Sequence, residues 1–257
     1  MTTTNTFELD DALAKYVTKA DPLGKPELVL MYSAAGKGKT HSAATASQIP
    51  GVKKVLYFDA EGSTVGVLTN FDEEKIDIVR LDKLENGIQV FDAFLKKLGS
   101  GADTEYDVIV VDPLDILQDK KIKQLQARGL EGWDVWREVA EWSNGVAATL
   151  KKVEPLGIIV VHEREEKSES GAILSKLRIS GSAKDTLPGI PDLIIYFERL
   201  LDNSDDGDGK EHTYGYVASS DKKITKNRFG LPPVIKDVTL PGIWQFIDNK
   251  GKSKEKK

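Results

Sequence analysis

Residues 28–40 read LVLMYSAAGKGKT, and this stretch decides the fold. The apolar run over 28–32 has the composition of a buried strand, and it stops at small residues and glycines. Gly38, Lys39 and Thr40 follow, and the Ala/Ser/Thr-rich segment after them can continue as a helix. A strand, a glycine-containing loop and a helix N-terminus in this order predict a phosphate-binding P-loop.

The residue types of this loop suit a polyphosphate. Glycines let backbone N–H groups converge on phosphate oxygens, Lys39 would reach the β- and γ-phosphates, and the Thr40 hydroxyl would ligate Mg²⁺. Ser33 stands where the P-loop pattern has its first glycine, with Gly36 as a flexible position inside the loop. A glycine-rich turn before an ordinary helix is the alternative. The predicted nucleotide contacts are Ser33, Ala34, Ala35, Gly36, Lys37, Gly38, Lys39, Thr40 and His41.

The composition of the 257 residues is that of a globular protein, with 40% hydrophobic and 30% charged residues. The absence of cysteine excludes disulfides and thiolate metal sites and fits a cytoplasmic location. The first residues lack the pattern of a secretory signal, and no apolar run approaches the ~20 residues of a membrane span. We therefore expect no membrane partner. With a net charge of −5, any nucleic-acid contact must come from a local basic patch.

Two further apolar runs end in acids. Residues 55–58 lead into Asp59 and Glu61, and 108–111 lead into Asp112. Ligands of open α/β sheets bind at the carboxyl ends of the strands, so Asp112 is predicted to hold Mg²⁺ together with Thr40. Glu61 is a candidate for activating the water that attacks the γ-phosphate, and a loop carboxylate that caps the next helix is the alternative. Asp115 is read mainly as an acid of a helix N-terminus.

A fifth strand, 156–161, ends in His162, which is either a reporter of the γ-phosphate or an ordinary strand-end histidine. The glycine-containing segment 163–189 is predicted to form a long mobile loop or a hairpin with basic residues. Trp133 and Trp136 fall outside the apolar stripe of their helix, and they either stack on bases or pack at the edge of the core. The predicted DNA contacts are Lys120, Lys121, Lys123, Arg128, Arg164, Lys167, Lys176, Arg178 and Lys184, with an ordinary solvated face as the alternative.

One domain is the simplest account of the chain. Residues 1–26 are predicted to form an N-terminal helix or arm, 27–248 the core, and 249–257 a disordered basic tail. The acidic stretch DNSDDGDGK is predicted to be the tip of an antiparallel hairpin near the C-terminus.

This set of motifs resembles the RecA-like branch of P-loop ATPases. The matching features are the loop ending in Lys39 and Thr40, the strand end at Glu61, the strand ending in Asp112, and the polar strand end at His162. The resemblance implies an α/β fold with a mostly parallel central sheet flanked by helices, here with a C-terminal antiparallel hairpin extension. It also implies ATP and Mg²⁺ as ligands, and contacts with single-stranded DNA from the loops beyond the Asp112 and His162 strands.

Lys226 and Arg228, in a K-x-R, look like the finger that hexameric RecA-fold helicases insert into a neighbour's ATP site. The arrangement is most similar to compact phage-encoded ATPases of single-strand annealing recombination. That resemblance implies a DNA-stimulated ATPase in a homo-oligomeric ring or filament with ATP at subunit interfaces. It further implies host-cytoplasmic location and a single-strand-binding protein as a partner. A nucleotide-gated binding module and a minimal helicase-type motor are the alternatives.

Overall fold

The computed structural model describes residues 24–202 and 209–255. The predicted N-terminal arm lies outside the described residues except for 24–26, and so does most of the predicted hairpin tip, 203–208. Within the described residues, no helix combines the length and the apolar character that a membrane crossing requires.

Ten strands of the described residues form one sheet in the order β10-β8-β7-β1-β5-β4-β2-β3, with β6 beside β5 and β9 beside β7. Strands β3, β2, β4, β5, β1 and β7 are parallel, whereas β8 and β10 extend the sheet in antiparallel fashion. The bounds are β1 Leu28–Ser33, β2 Val55–Asp59, β3 Ile76–Arg80, β4 Val108–Asp112, β5 Leu156–Lys167, β6 Ile173–Leu177, β7 Leu193–Leu201, β8 Glu211–Tyr216, β9 Lys226–Asn227 and β10 Val234–Lys236.

Helices cover both faces of this sheet. They are α1 Lys39–Ala44, α2 Val65–Leu68, α3 Gly87–Gly99, α4 Leu114–Ala127, α5 Gly132–Lys152, α6 Ala183–Thr186 and α7 Leu240–Glu255. Helices α3, α4 and α5 share one apolar cluster with alternate residues of the strands, and α1 and α7 share the other. The central strands are apolar on both faces because each face is covered, as parallel sheets require. The predicted RecA-like α/β fold class is confirmed.

Two segments differ from the sequence expectation. Strand β5 continues past His162 to Lys167 and pairs with β6, so the first part of 163–189 is an ordered hairpin. Helix α7 runs on to Glu255, into the segment predicted to be disordered. Lysine and glutamate are good helix formers, so a charged, apolar-poor sequence can still extend a helix that is anchored by its first turns.

The strand register brings the predicted site residues to one edge. Ser33 at the end of β1 lies opposite His162 on β5, and Asp59 at the end of β2 lies opposite Asp112 on β4. All four therefore lie at the carboxyl edge of the parallel strands, where ligands of open α/β sheets bind.

Candidate nucleotide site

The P-loop connects β1 to α1, and its lysine turns back onto the loop. Gly38 and Gly36 have φ values of 92° and 74°, in the left-handed region that favours glycine. Lys39 Nζ donates to the carbonyl oxygens of Ser33 and Ala34, each at 2.9 Å, and to Ser33 Oγ at 3.3 Å. Ser33 therefore fits the first-glycine position, where its hydroxyl is an additional partner for the lysine. Burial lowers the pKa of Lys39, and neighbouring carboxylates oppose that shift.

Asp112 at the end of β4 lies within hydrogen-bond reach of Thr40, the residue predicted to share a metal ion with it. Tyr57 Oη, on the neighbouring strand β2, donates to Asp112 Oδ2 at 2.5 Å. Burial raises the pKa of Asp112, and the hydrogen bonds from Tyr57 and Thr40 oppose that shift only in part. A hydroxyl beside a carboxylate is a donor set that suits Mg²⁺, so these side chains fit the metal that the P-loop motif implies.

Tyr57 was not predicted to have a role at the site, because β2 was interpreted only as a buried strand. The available signal was a phenol inside an otherwise apolar run, since a buried tyrosine hydroxyl usually has a hydrogen-bond partner. Burial raises the pKa of Tyr57 well above its ordinary range, so its hydroxyl stays a donor to Asp112.

The loop that carries Glu61 is fixed by Asp59. This carboxylate is fully buried and accepts the backbone N–H groups of Glu61 and Gly62, at 3.2 and 2.7 Å, and the Thr64 hydroxyl at 2.5 Å. Arg80 Nε lies 3.3 Å from the same carboxylate. Asp59 thus caps the loop, and the exposed Glu61 carboxylate is left facing the space beyond the strand ends.

His162 connects Glu61 to the segment that follows β6. Its Nε2 lies 3.8 Å from Glu61 Oε2, and its Nδ1 lies 3.0 Å from Asp115 Oδ2. Asp115 also accepts the backbone N–H of His162 at 3.0 Å and Arg178 Nη1 at 2.8 Å. The hydrogen bond with Asp115 raises the pKa of His162. Asp115, expected only as a helix N-terminal acid, therefore joins the strand end to Arg178, whose other nitrogen donates to Asp119.

Against this geometry, a family model described as an AAA domain matches residues 25–229. The chain belongs to this family. The match includes the P-loop, both acidic strand ends and His162, so the residues described above all lie inside the AAA domain. Family membership and P-loop geometry together make the chain an AAA-type P-loop ATPase with a RecA-like core. No curated protein sequence matches it.

Solved structures similar to this AAA domain share little sequence with it. The crystal structure of the RadB recombinase has 15% identity and a TM-score of 0.48, covering 84% of this chain and 90% of that one. An ATPase from the type III secretion system of pathogenic bacteria has 11% identity and a TM-score of 0.43, covering 68% of this chain and 52% of that one. A further structure, of an isolated ATPase domain, has 10% identity and a TM-score of 0.45, covering 83% and 82%.

Two predicted DNA contacts, Lys120 and Lys121, are engaged inside the AAA domain. Lys120 Nζ donates to the carbonyl oxygens of Ala60 and Leu81, at 3.1 and 3.4 Å. Lys121 Nζ lies 2.6 Å from Asp92 Oδ2, and this lysine is buried. The charge pattern of α4 does not reveal that these two positions face neighbouring elements. We therefore correct the predicted set by removing both lysines.

The remaining predicted cations lie at or near the surface. Arg164 pairs with Glu166 on the same strand, and Arg178 pairs with Asp115 and Asp119. The exposed members are Lys123, Arg128, Lys167 and Lys184, and Lys176 is half-buried. They lie on α4, on the β5–β6 hairpin and on α6, the segments that follow the Asp112 and His162 strand ends.

Lys226 and Arg228 lie at the opposite edge of the sheet from the P-loop of their own chain. Lys226 on β9 pairs with Ile194, near the start of β7, whereas the P-loop follows the last residue of β1. The ends of a six-residue strand are about 17 Å apart. Lys226 Nζ donates to the Gly189 carbonyl at 2.7 Å, and Arg228 Nη1 lies 3.1 Å from Asp192 Oδ1. Neither cation reaches its own P-loop.

Proposed function

We propose that this AAA domain hydrolyses ATP on single-stranded DNA and promotes annealing or strand pairing in recombination. The observation that carries the proposal is the arrangement at the sheet edge. Lys39, Asp112, Glu61 and His162 meet there, and Asp115 links His162 to Arg178 beyond the hairpin. A site with this arrangement can bind a nucleoside triphosphate and also change the contacts of a basic surface segment.

Each residue has a defined chemical role in this proposal. Lys39 would bind the β- and γ-phosphates, while Thr40 and Asp112 would hold Mg²⁺, which when bound neutralises phosphate charge. Glu61, an exposed carboxylate on a fixed loop, would orient the attacking water and accept its proton. His162 is held through Nδ1 by Asp115, which directs its Nε2 toward Glu61 and the same space.

We further propose that the protein works as a homo-oligomer, either a ring or a filament, with ATP between subunits. Lys226 and Arg228 are too far from their own P-loop to serve it, which supports a contribution to the site of a neighbouring subunit. A cation supplied in this way is worth roughly 10³–10⁵ in rate in phosphoryl transfer. The phage origin, the host-cytoplasmic location and a single-strand-binding protein as partner follow the resemblance to compact phage-encoded ATPases.

The test is ATP turnover with and without an oligo-dT strand, with light scattering to follow assembly. Lys39→Ala should abolish turnover, and Glu61→Gln should lower it by ~10²–10⁴ while nucleotide binding is retained. Glu154→Gln changes an exposed glutamate at the far edge of the sheet and should leave turnover unchanged. If oligo-dT alters neither turnover nor assembly, the DNA part of the proposal is wrong and the ATPase part stands.

A nucleotide-gated binding module is the second candidate, and the contacts from His162 through Asp115 to Arg178 favour it. In such a module, ATP would set the position of the segment after β6 for a partner, with negligible hydrolysis. Glu61→Gln separates the two functions, because it should reduce turnover in an enzyme but leave ATP-dependent partner binding intact in a module.

A further inference from the structure

A groove with a volume of about 700 Å³ lies between the start of α5 and the segment that follows β6. Its walls include Trp133 and Trp136 from α5 and Ser182 and Lys184 from the segment around α6. We call it the tryptophan groove. It is separate from the P-loop, whose residues do not line it.

The two indoles of the groove are unusually exposed for tryptophan. Trp133 is 77% exposed and Trp136 is 42% exposed, and they lie three residues apart on the same face of α5. The other two tryptophans of the chain serve the interior: Trp142 donates to Asp92 at 2.7 Å, and Trp244 is buried. Adjacent exposed aromatic side chains are costly to leave in water and mark interaction sites. Packing at the edge of the core, the alternative considered from the sequence, does not account for Trp133.

The rim of the groove is cationic. Arg137, Arg164 and Lys184 line it together with a single carboxylate, Glu141. Arg164 is paired with Glu166, but its Nε is buried without an acceptor among the described residues, so its donors are not all used within the chain. Since the protein carries a net charge of −5, a local group of cations such as this one is what an anionic polymer would need.

The floor of the groove is held in place by close backbone contacts. Gly181 has a φ of 68°, and a Cβ at this position would lie 3.3 Å from the Trp136 carbonyl oxygen, so the chain passes close to α5. Gln118 accepts the Ser180 N–H at 2.8 Å and donates to Ser143 at 2.7 Å. A fixed floor keeps the indoles and the cations in one arrangement, which lowers the entropic cost of binding.

We propose that the tryptophan groove binds single-stranded DNA, with bases stacked on Trp133 and Trp136 and phosphates near Arg137, Arg164 and Lys184. Aromatic platforms beside cations are how proteins hold unpaired strands, because every base has a π face and every nucleotide has a phosphate. The proposal rests on the DNA part of the proposed function, to which it assigns a surface. It adds Trp133, Trp136 and Arg137 to the cations expected from the sequence.

The experiment measures binding of a labelled oligo-dT strand by anisotropy and by tryptophan fluorescence. Stacking should quench the wild-type fluorescence, with Trp142 and Trp244 giving the unquenched remainder. Trp133→Ala and Trp136→Ala should each weaken binding by ~5–150-fold, and the corresponding Phe variants should recover much of it. Lys184→Ala should reduce the slope of log affinity against log salt by about 0.7. Phe246→Ala, which removes an exposed aromatic ring from α7, is the matched control and should bind as wild type.

An abasic strand of equal charge separates stacking from attraction to the backbone. The wild type should prefer oligo-dT to the abasic strand, and the double variant Trp133→Ala/Trp136→Ala should bind the two equally. If wild type and this double variant bind oligo-dT alike, the groove proposal is wrong while the DNA function stands. If wild type binds no oligo-dT, the proposed DNA function fails and the groove proposal fails with it. Binding of oligo-rU alone would overturn the assignment to DNA.

Discussion

Asp112 and Asp59 are register partners on adjacent strands, yet replacing each with asparagine should change stability in opposite directions. Both carboxylates are buried, but their partners differ. Asp112 accepts from the hydroxyls of Tyr57 and Thr40, which an amide oxygen can also do. Asp59 accepts two backbone N–H groups and the hydroxyl of Thr64 and lies beside Arg80. The NH₂ group of an asparagine there would oppose a donor.

The magnitudes follow from these partners. A buried carboxylate carries a desolvation penalty of several kcal/mol, while the loss of charge assistance in two hydrogen bonds costs ~1 kcal/mol each. Asp112→Asn should therefore stabilise the nucleotide-free protein by ~1–3 kcal/mol, or roughly 2–10 °C in Tm. Asp59→Asn removes the charge beside Arg80 and misplaces a donor, so it should destabilise the protein by ~2–4 kcal/mol.

The effect of Asp112→Asn should depend on pH. Burial raises the pKa of Asp112 above its ordinary value of 3.8, so the folded protein binds this proton more tightly than the unfolded chain does. The stability that this group contributes is fully present below pH 3.8 and is lost as the pH rises through the folded pKa. The advantage of Asp112→Asn should therefore grow from about pH 4 upward and level off above the folded pKa.

Urea unfolding in EDTA without nucleotide measures both variants, and ATP turnover with Mg²⁺ is the companion assay. Asp112→Asn should lose Mg²⁺-dependent turnover while gaining stability, because the carboxylate is retained for its ligand and not for the fold. Equal destabilisation by the two substitutions would refute the view that desolvation outweighs the hydrogen bonds at Asp112.

Asp115→Asn should lower the pKa of His162 toward its ordinary value of 6.5, since the hydrogen bond with this carboxylate raises it; an unchanged histidine NMR titration would contradict this. Arg178→Ala should remove the stimulation of ATP turnover by oligo-dT but keep the basal rate, and retained stimulation would argue against coupling through this arginine. Arg228→Ala and Lys39→Ala should each be inactive alone, whereas their mixture should regain turnover at interfaces that combine an intact P-loop with an intact Arg228. No gain on mixing would exclude a role of Arg228 in the neighbouring site.

The carboxyl edge of the sheet could be predicted from the sequence because its information is local. Ser33, Asp59, Asp112 and His162 each end an apolar run, and parallel strands end at a common edge. Buried parallel strands are nearly continuous in apolar residues, so their ends are among the clearest boundaries in a chain. The strand and its final residue could therefore be placed together.

The partners of these residues could not be predicted in the same way. Asp115 contacts His162 and Arg178, which are 47 and 63 positions away in the chain. Nothing in the local pattern of α4 indicates which strand and which hairpin its first turn will meet. Lys121 shows the same limit, because its burial against Asp92 depends on how α3 and α5 pack beside α4.

The segment 178–182 touches both proposed sites, which constrains how they can communicate. At one end, Arg178 is bound to the carboxylate that holds His162 beside Glu61. At the other end, Gly181 lies against the Trp136 carbonyl at the floor of the tryptophan groove. A ligand that shifts this segment at one site must change its contacts at the other, and such coupling is reciprocal in binding free energy. The factor by which oligo-dT raises the affinity for ATP should therefore equal the factor by which ATP raises the affinity for oligo-dT, and Arg178→Ala should reduce both factors together.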